Sequence, residues 1–274
     1  MFNVTNHLTT SSKRATAVVA VDLSNFAFRA YHVTTWGKKN QRDAYLKTAR
    51  NMLKTVLRRL KHHDKVLLFL AKDAGHPPEI KKHFPEYKAN REKIEENPIP
   101  PVRDLLCEYP CVEVWSPGNE ADSVIASLLK HPKTKRLHKA PFYVVTRDKD
   151  MFQLLVRPNV KLMSGLNDPD ITPKYVKQKM GVKPSVVPLY RAVFGDPSDN
   201  IKPVVPRLRK AKVTPLMNRA KDFKHFFHLV EKNSTGLSKR EQEGLLEAKS
   251  DIVKRFKLIF CLRDNLDLKF KAHR

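Results

Sequence analysis

Eight carboxylates stand out in this chain of 274 residues: Asp22, Asp73, Glu120, Asp122, Asp148, Asp150, Asp196 and Asp199. Six of them come in close pairs, the last pair inside "GDPSDNI" at 195 to 201. One aspartate after an apolar run is an ordinary helix cap or turn residue. Eight in a basic chain ask for a cation, because neighbouring carboxylates do not all stay ionised without one. Carboxylate oxygens with no His or Cys nearby suit hard ions, Mg²⁺ or Mn²⁺, which take few protein ligands and keep waters. Two such ions about 4 Å apart activate water and stabilise the leaving oxygen in phosphodiester cleavage. The other reading, in which the acids hold the fold through salt bridges, stays open.

The segments that carry these acids alternate in kind. "TAVVAVDL" (16 to 23), "KVLLFLAKD" (65 to 73), "CVEVWS" (111 to 116), "PFYVVTRDKD" (141 to 150) and "NVKLMS" (159 to 164) read as strands, three of them closing on Asp22, Asp73 and Asp148. Between Asp43 and His62, Tyr45, Ala49, Met52, Leu53, Val56, Leu57 and Leu60 recur at helical spacing with Lys and Arg between them. "NEADSVIASLLKH" (119 to 131) reads as a helix with Glu120 and Asp122 at its start. This alternation predicts βαβ units, a mostly parallel sheet with flanking helices. Ligands of such sheets bind beyond the carboxyl ends of the strands, where the acids fall. Residues 76 to 101, charged and bounded by prolines, read as an exposed excursion. From about Thr172 only short helical stretches broken by prolines remain, with a closing helix and short strand expected in 251 to 270. No G-x-x-x-x-G-K-[ST] occurs among the 8 glycines, which argues against a P-loop enzyme.

Composition points to a polyanion. Lys and Arg number 53 against 28 Asp and Glu, a net charge of +25 at a pI near 10.0. Each phosphate that a cation neutralises releases counterions, so nucleic acid is the first candidate partner. No apolar run of about 18 residues is long enough to span a bilayer. Residues 1 to 15 read as a polar leader without the apolar block of a secretory signal, and an intracellular, cytoplasmic home is expected. Cys107, Cys111 and Cys261 suggest a reducing compartment. Cys107 and Cys111 have the spacing of half a zinc site, but no second Cys or His pair follows, so they read as ordinary thiols.

The ordered series "VAVDLSNFAFRAY", "AKDAG", "YKANR", "NEADSVIA", "TRDKDMFQLL" and "GDPSDNI" resembles the 5′ nucleases of the flap endonuclease type. It is especially similar to stand-alone bacteriophage 5′→3′ exonucleases and to the 5′ nuclease domain of bacterial DNA polymerase I, from about Ala17 to Asp267. The resemblance implies a PIN-like α/β nuclease core (16 to 171), a helical arch at about 76 to 110, and a helical C-terminal DNA-binding part (172 to 274) packed on the core. It implies that all eight acids hold two divalent ions, Mg²⁺ with Mn²⁺ able to substitute, and that Asp22 and Asp73 sit nearest the chemistry. It implies that Lys88 and Arg91 contact the reacting phosphate, that Tyr87 stacks on an unpaired base, and that Arg29 is a further basic contact near the metals.

Two departures accompany the match. Ser123 stands where many relatives carry a further acid, which weakens the expectation for the second metal. After Ile201 the relatives' Gly-rich hairpin is replaced by "KPVVPRLRKAKVTP", a degenerate helix-hairpin-helix in which Lys202, Arg207, Arg209, Lys210 and Lys212 are expected to hold duplex by side-chain charge. The expected function is a structure-specific 5′ nuclease (5′→3′ exonuclease or flap endonuclease) in replication. It would act on 5′ ends, nicks and flaps of DNA, and on the RNA of RNA–DNA hybrids in an RNase H-like manner. A monomer is expected, in the host cytoplasm if the source is a bacteriophage, with a replication partner conceivable. The alternatives are a DNA-binding protein that kept the fold without cleaving, and a smaller PIN-type ribonuclease. A phosphatase using Asp148-Lys149-Asp150 accounts for neither the basic excess nor the other six acids.

Overall fold

The computed structural model describes residues 16–35, 42–91, 94, 96–259 and 266–273. The leader and Cys261 lie outside them. In chain order the described elements are β1 (Thr16–Asp22), α1 (Leu23–Thr35), α2 (Arg42–Arg59), β2 (Lys65–Ala71), α3 (Pro78–His83), α4 (Ile99–Leu106), β3 (Cys111–Trp115) and α5 (Ala121–Leu128). They continue as β4 (Phe142–Val145), β5 (Val160–Met163), α6 (Pro173–Met180), α7 (Val187–Phe194), α8 (Lys210–Arg219), α9 (Phe223–Lys232), α10 (Lys239–Glu247), α11 (Lys249–Ile259) and β6 (Lys269–His273).

The six strands form one sheet in the order β5-β4-β1-β2-β3-β6. β1, β2, β3, β4 and β5 pair in parallel; β6 pairs antiparallel with the outer side of β3. β1 lies at the centre, and Ala17 to Val21 have no exposed surface, so this strand is a continuous apolar run rather than an alternating one. Its alternate residues still face two different layers. Ala17, Val19 and Val21 join Phe26, Tyr45, Met52 and Val102 of α1, α2 and α4. Val18 and Ala20 join Ile125 of α5 and residues of the later helices, among them Val176, Leu189, Phe226, Leu245 and Ile252. The C-terminal helices therefore share one apolar cluster with the sheet.

The excursion after β2 gives way to core at α4, which buries Val102, Leu105 and Leu106. Within it α3 ends after six residues, and residues 84–91 are turns and irregular backbone. Pro85 is the cause, since it pushes Phe84 out of the helical region, to φ −123 and ψ 83. A short strand closes the C-terminal part: β6 returns to the sheet and covers the edge that β3 would otherwise present. No helix among the described residues is long and apolar enough to cross a membrane.

Candidate metal centre and nucleic-acid interface

A cavity of about 560 Å³ opens at the carboxyl ends of β1, β2 and β4, and seven of the eight acids line it: Asp22, Asp73, Glu120, Asp122, Asp148, Asp150 and Asp199. Each is aimed by local chemistry. Asp22, the last residue of β1, accepts the Asn25 N–H at 3.1 Å on Oδ1 and the Thr146 hydroxyl at 3.0 Å on Oδ2. Asp73, two residues past β2, accepts the Ser24 hydroxyl at 2.5 Å and the Ala121 N–H at 2.8 Å. Asp148 accepts the Asp150 N–H at 2.8 Å. Ser24, Asn25 and Thr146 are site residues that sequence reasoning missed; their signal was adjacency to the strand-end acids.

The group is electrostatically incomplete. Burial, then the charges of Asp73 and Asp148, push the Asp22 carboxyl up to about 7. Burial with Glu120, Asp148 and Asp150 raises Asp122 well above the ordinary range. Asp150 is pushed up to about 6 by burial, even with Arg191 opposing. Carboxyls that suppress one another's ionisation, offering only oxygen donors, fit a hard divalent cation.

Opposite the acids lies the short segment after α3. The Tyr87 hydroxyl donates to Glu120 Oε2 at 3.1 Å, and burial beside Glu120 and Asp199 drives its pKa far up. Lys88 Nζ bonds Glu120 Oε1; burial disfavours its charge, but Glu120 and Asp199 outweigh that and raise its pKa. Arg91 Nη2 donates to Asp199 Oδ1 at 3.0 Å and remains about half exposed, 56 % for the side chain. His76 Nδ1, which the sequence reading passed over, lies 2.6 Å from Glu120 Oε1.

This segment is hooked onto "GDPSDNI". The Lys88 N–H donates to the Asp199 carbonyl at 3.0 Å, the Asn200 amide to the Glu86 carbonyl at 3.0 Å, and the Asn90 amide to the Pro197 carbonyl at 2.9 Å. The loop is closed by reciprocal backbone bonds between Asp196 and Ile201, both 2.8 Å. Gly195 makes that closure possible: its φ is +69, and a Cβ there would lie 2.2 Å from the Ile201 carbonyl oxygen.

Asp196 stands behind the others. It does not line the cavity; one oxygen accepts the Ser198 N–H at 3.0 Å and hydroxyl at 2.7 Å, and the other pairs with Arg191. Arg191, on α7 and 5 % exposed, also donates from Nε to Asp150 Oδ1 at 2.7 Å. Oxygens of Asp150, Asp196 and Asp199 nevertheless lie within 4.8 Å of one another, so this group could hold an ion beside the guanidinium.

Residues 17–181, more than half of the chain, match the family model described as the 5′-3′ exonuclease, N-terminal resolvase-like domain. The chain belongs to the 5′-3′ exonuclease family. It is 31% identical over 172 residues to DNA polymerase I of Caldicellulosiruptor bescii, covering 60% of this chain and 20% of that protein. It is 28% identical over 184 residues to a 5′-3′ exonuclease of Buchnera aphidicola subsp. Acyrthosiphon pisum, covering 66% of this chain and 62% of that one. The chain thus spans about a fifth of the polymerase and somewhat under two thirds of the exonuclease. Its fold is similar to that of bacteriophage T5 5′-exonuclease bound to divalent metal ions (zinc), with a TM-score of 0.68 at 17% identity over 90% of each chain.

Within this chain the basic residues expected to hold nucleic acid divide. Arg29 lines the cavity and donates to Asp168 Oδ2 at 2.9 Å, which also accepts from Arg147 at 3.0 Å; burial and Arg147 together lower the Arg29 pKa. After Ile201, Lys202, Arg207 and Lys210 are exposed and Lys212 is half-buried. Lys210 sits over the Tyr190 ring at 5.5 Å. Arg209 is committed elsewhere: it donates from Nη2 to Glu241 Oε2 at 2.5 Å and from Nε to Oε1 at 2.8 Å. That bond, ahead of the Ser238 N–H, holds Glu241 well below the usual carboxylate range. Val205 and Leu208 point inward and are buried, so the segment is anchored where a Gly-rich hairpin would present backbone amides.

Proposed function

We propose that this chain is a divalent-metal-dependent, structure-specific 5′ nuclease that hydrolyses phosphodiesters at 5′ ends, nicks and flaps of DNA. The reading rests on one juxtaposition above all: a carboxylate cluster too acidic to balance itself, faced across the same cavity by Tyr87, Lys88 and Arg91. Asp22, Asp73, Glu120, Asp122 and Asp148 would hold one Mg²⁺, and Asp150, Asp199 and, behind them, Asp196 a second; Mn²⁺ would substitute. When bound, the ions supply Lewis-acid polarisation of the phosphate and activation of water.

The chain's own residues do the rest. Lys88 and Arg91 now spend their donors on Glu120 and Asp199; an entering phosphate takes those donors over and gains charge stabilisation as negative charge develops on its oxygens. Tyr87, held by Glu120, presents its ring at the cavity wall for an unpaired base. Arg29, kept in place by Asp168, lies at the rim for a flanking phosphate. Lys202, Arg207, Lys210 and Lys212 would follow the duplex away from the cut.

The test is release of product from a 5′-labelled DNA flap in Mg²⁺. Cleavage is expected, abolished by chelator and lowered by about 10²- to 10³-fold in Asp148→Asn and in Lys88→Ala. A parallel RNA–DNA hybrid, labelled on the RNA, reports whether primer RNA is also cut. Undiminished cleavage in chelator would sink the reading, as would binding of the flap without cleavage at any Mg²⁺ concentration.

A further inference from the structure

Four side chains with metal-ligand chemistry converge at the amino end of β3, ~13 Å along the strand from its carboxyl end. Cys107 ends α4. Cys111 and Glu113, two apart on β3, share one face of the sheet, and His273 of β6 is the register partner of Cys111. The ligand atoms of Cys107, Glu113 and His273 all lie within 4.8 Å of one another. The two thiols are in hydrogen-bond contact and neither is in a disulfide. His273 Nε2 is 3.1 Å from Glu113 Oε2.

We propose that Cys107, Cys111, Glu113 and His273 form a zinc site that fastens β6 to β3, independent of the acidic cavity. Two sulfurs, one imidazole and one carboxylate are a zinc donor set, whereas Mg²⁺ takes oxygen alone. The spacing is set for three donors, Cys107, Glu113 and His273, with Cys111 reaching the group through Cys107; two ligands bound at 2.0–2.1 Å stand about 3.3 Å apart on one ion, close to the Nε2 to Oε2 separation. Cys107 is half-buried and the His273 side chain keeps 17% of its surface exposed, which leaves an entry path.

The charges close. As Zn²⁺ enters, both S–H bonds break and two Zn–S bonds form, with two protons leaving to solvent. His273 stays neutral, its proton passing to Nδ1 so that Nε2 takes the ion. The two thiolates cancel the ion's charge, and Glu113, fully buried, keeps its existing counterion: Arg103 donates to it at 2.5 and 3.2 Å. No net charge is added to a buried place, which removes the usual penalty.

Cobalt separates this site from the carboxylate cavity, because only thiolate ligands give a sulfur-to-cobalt charge-transfer absorption. Reduced, metal-stripped full chain titrated with Co²⁺ should show that absorption with tetrahedral d–d bands, saturating at one equivalent and displaced by Zn²⁺. Cys107→Ser should lose most of the charge-transfer band, and His273→Ala should shift the d–d bands and weaken binding. Asp148→Asn should keep the full signal, and Zn²⁺ should raise the Tm of the parent more than that of Cys107→Ser. No charge-transfer band in the reduced parent overturns the proposal without reference to any variant. So does a band that survives Cys107→Ser combined with Cys111→Ser, or one lost in Asp148→Asn.

Discussion

The two halves of the acidic cluster are held by opposite means. Asp22 and Asp73 are oriented by neutral donors, backbone N–H groups and the hydroxyls of Thr146 and Ser24. Asp150 and Asp196 are oriented by a guanidinium, that of Arg191, buried between them. Neutral donors fix a carboxylate without spending its charge, so the first half keeps its full attraction for an external ion and suffers the repulsion when none is bound. The second half brings its own cation and is satisfied before any metal arrives. The difference suggests that an ion at the first half is the stronger requirement, and that Arg191 shares the work of a metal at the second.

Removing Arg191 should break the second half most severely. Arg191→Met strands two buried carboxylates, a loss of about 3–5 kcal/mol, and should lower the Tm by roughly 10 °C. High Mg²⁺ should restore part of it as an ion takes the vacated place. A variant within a couple of degrees of the parent in chelator would show that the guanidinium does not carry this half.

The first half should show itself in the pH dependence of the metal-free protein. Asp22, at about 7 in the fold against an unfolded value of 3.8, binds more proton folded than unfolded between those limits. Its contribution to stability is therefore present at low pH and lost as pH rises toward 7. His63, His131 and His138 have pKa values lowered by burial and act in the opposite sense below about 6.5. The informative quantity is thus the Tm of the parent relative to Asp22→Asn in chelator. It should fall by a few °C, on the order of 1 kcal/mol or more, from pH 5 to 7.5, and Mg²⁺ should abolish the fall. A flat difference would mean that Asp22 is not under strain.

The smallest effect separates the cations beyond Ile201. Lys202→Ala and Arg207→Ala should each reduce the slope of log binding constant against log salt by about 1 on flap DNA. Arg209→Ala should leave the slope unchanged and lower the Tm instead, since its donors belong to Glu241. Equal slopes for all three would return Arg209 to the binding surface.

The strands and most of the acids were legible in the sequence because the buried strands are short apolar runs, three of which close on a carboxylate, a purely local pattern. Arg191 was not, because "VVPLYRAVF" gives no local sign that its one cation faces inward. Asp196 was legible as a carboxylate beside Asp199, whereas its bonds to Ser198 and its pairing with Arg191 were not. Arg209 looked free because its partner Glu241 lies 32 residues on. His273 joins Glu113 across 160 residues, so two cysteines read as ordinary thiols while the rest of their set was hidden at another strand.

The hook between Lys88 and Asp199 also sets an order of assembly. The first carboxylates and their strands belong to the first 150 residues, but Arg91 reaches its partner across 108 residues and Asn200 reaches Glu86 across 114. Asp199 and Asn200 follow the strands of the first half in the chain and emerge after them. During synthesis the acids are therefore in place well before the segment that faces them is seated, and the nascent chain has no finished cleft until about 200 residues have left the ribosome. A nuclease of the kind proposed would thus gain its cleft only late in its own translation.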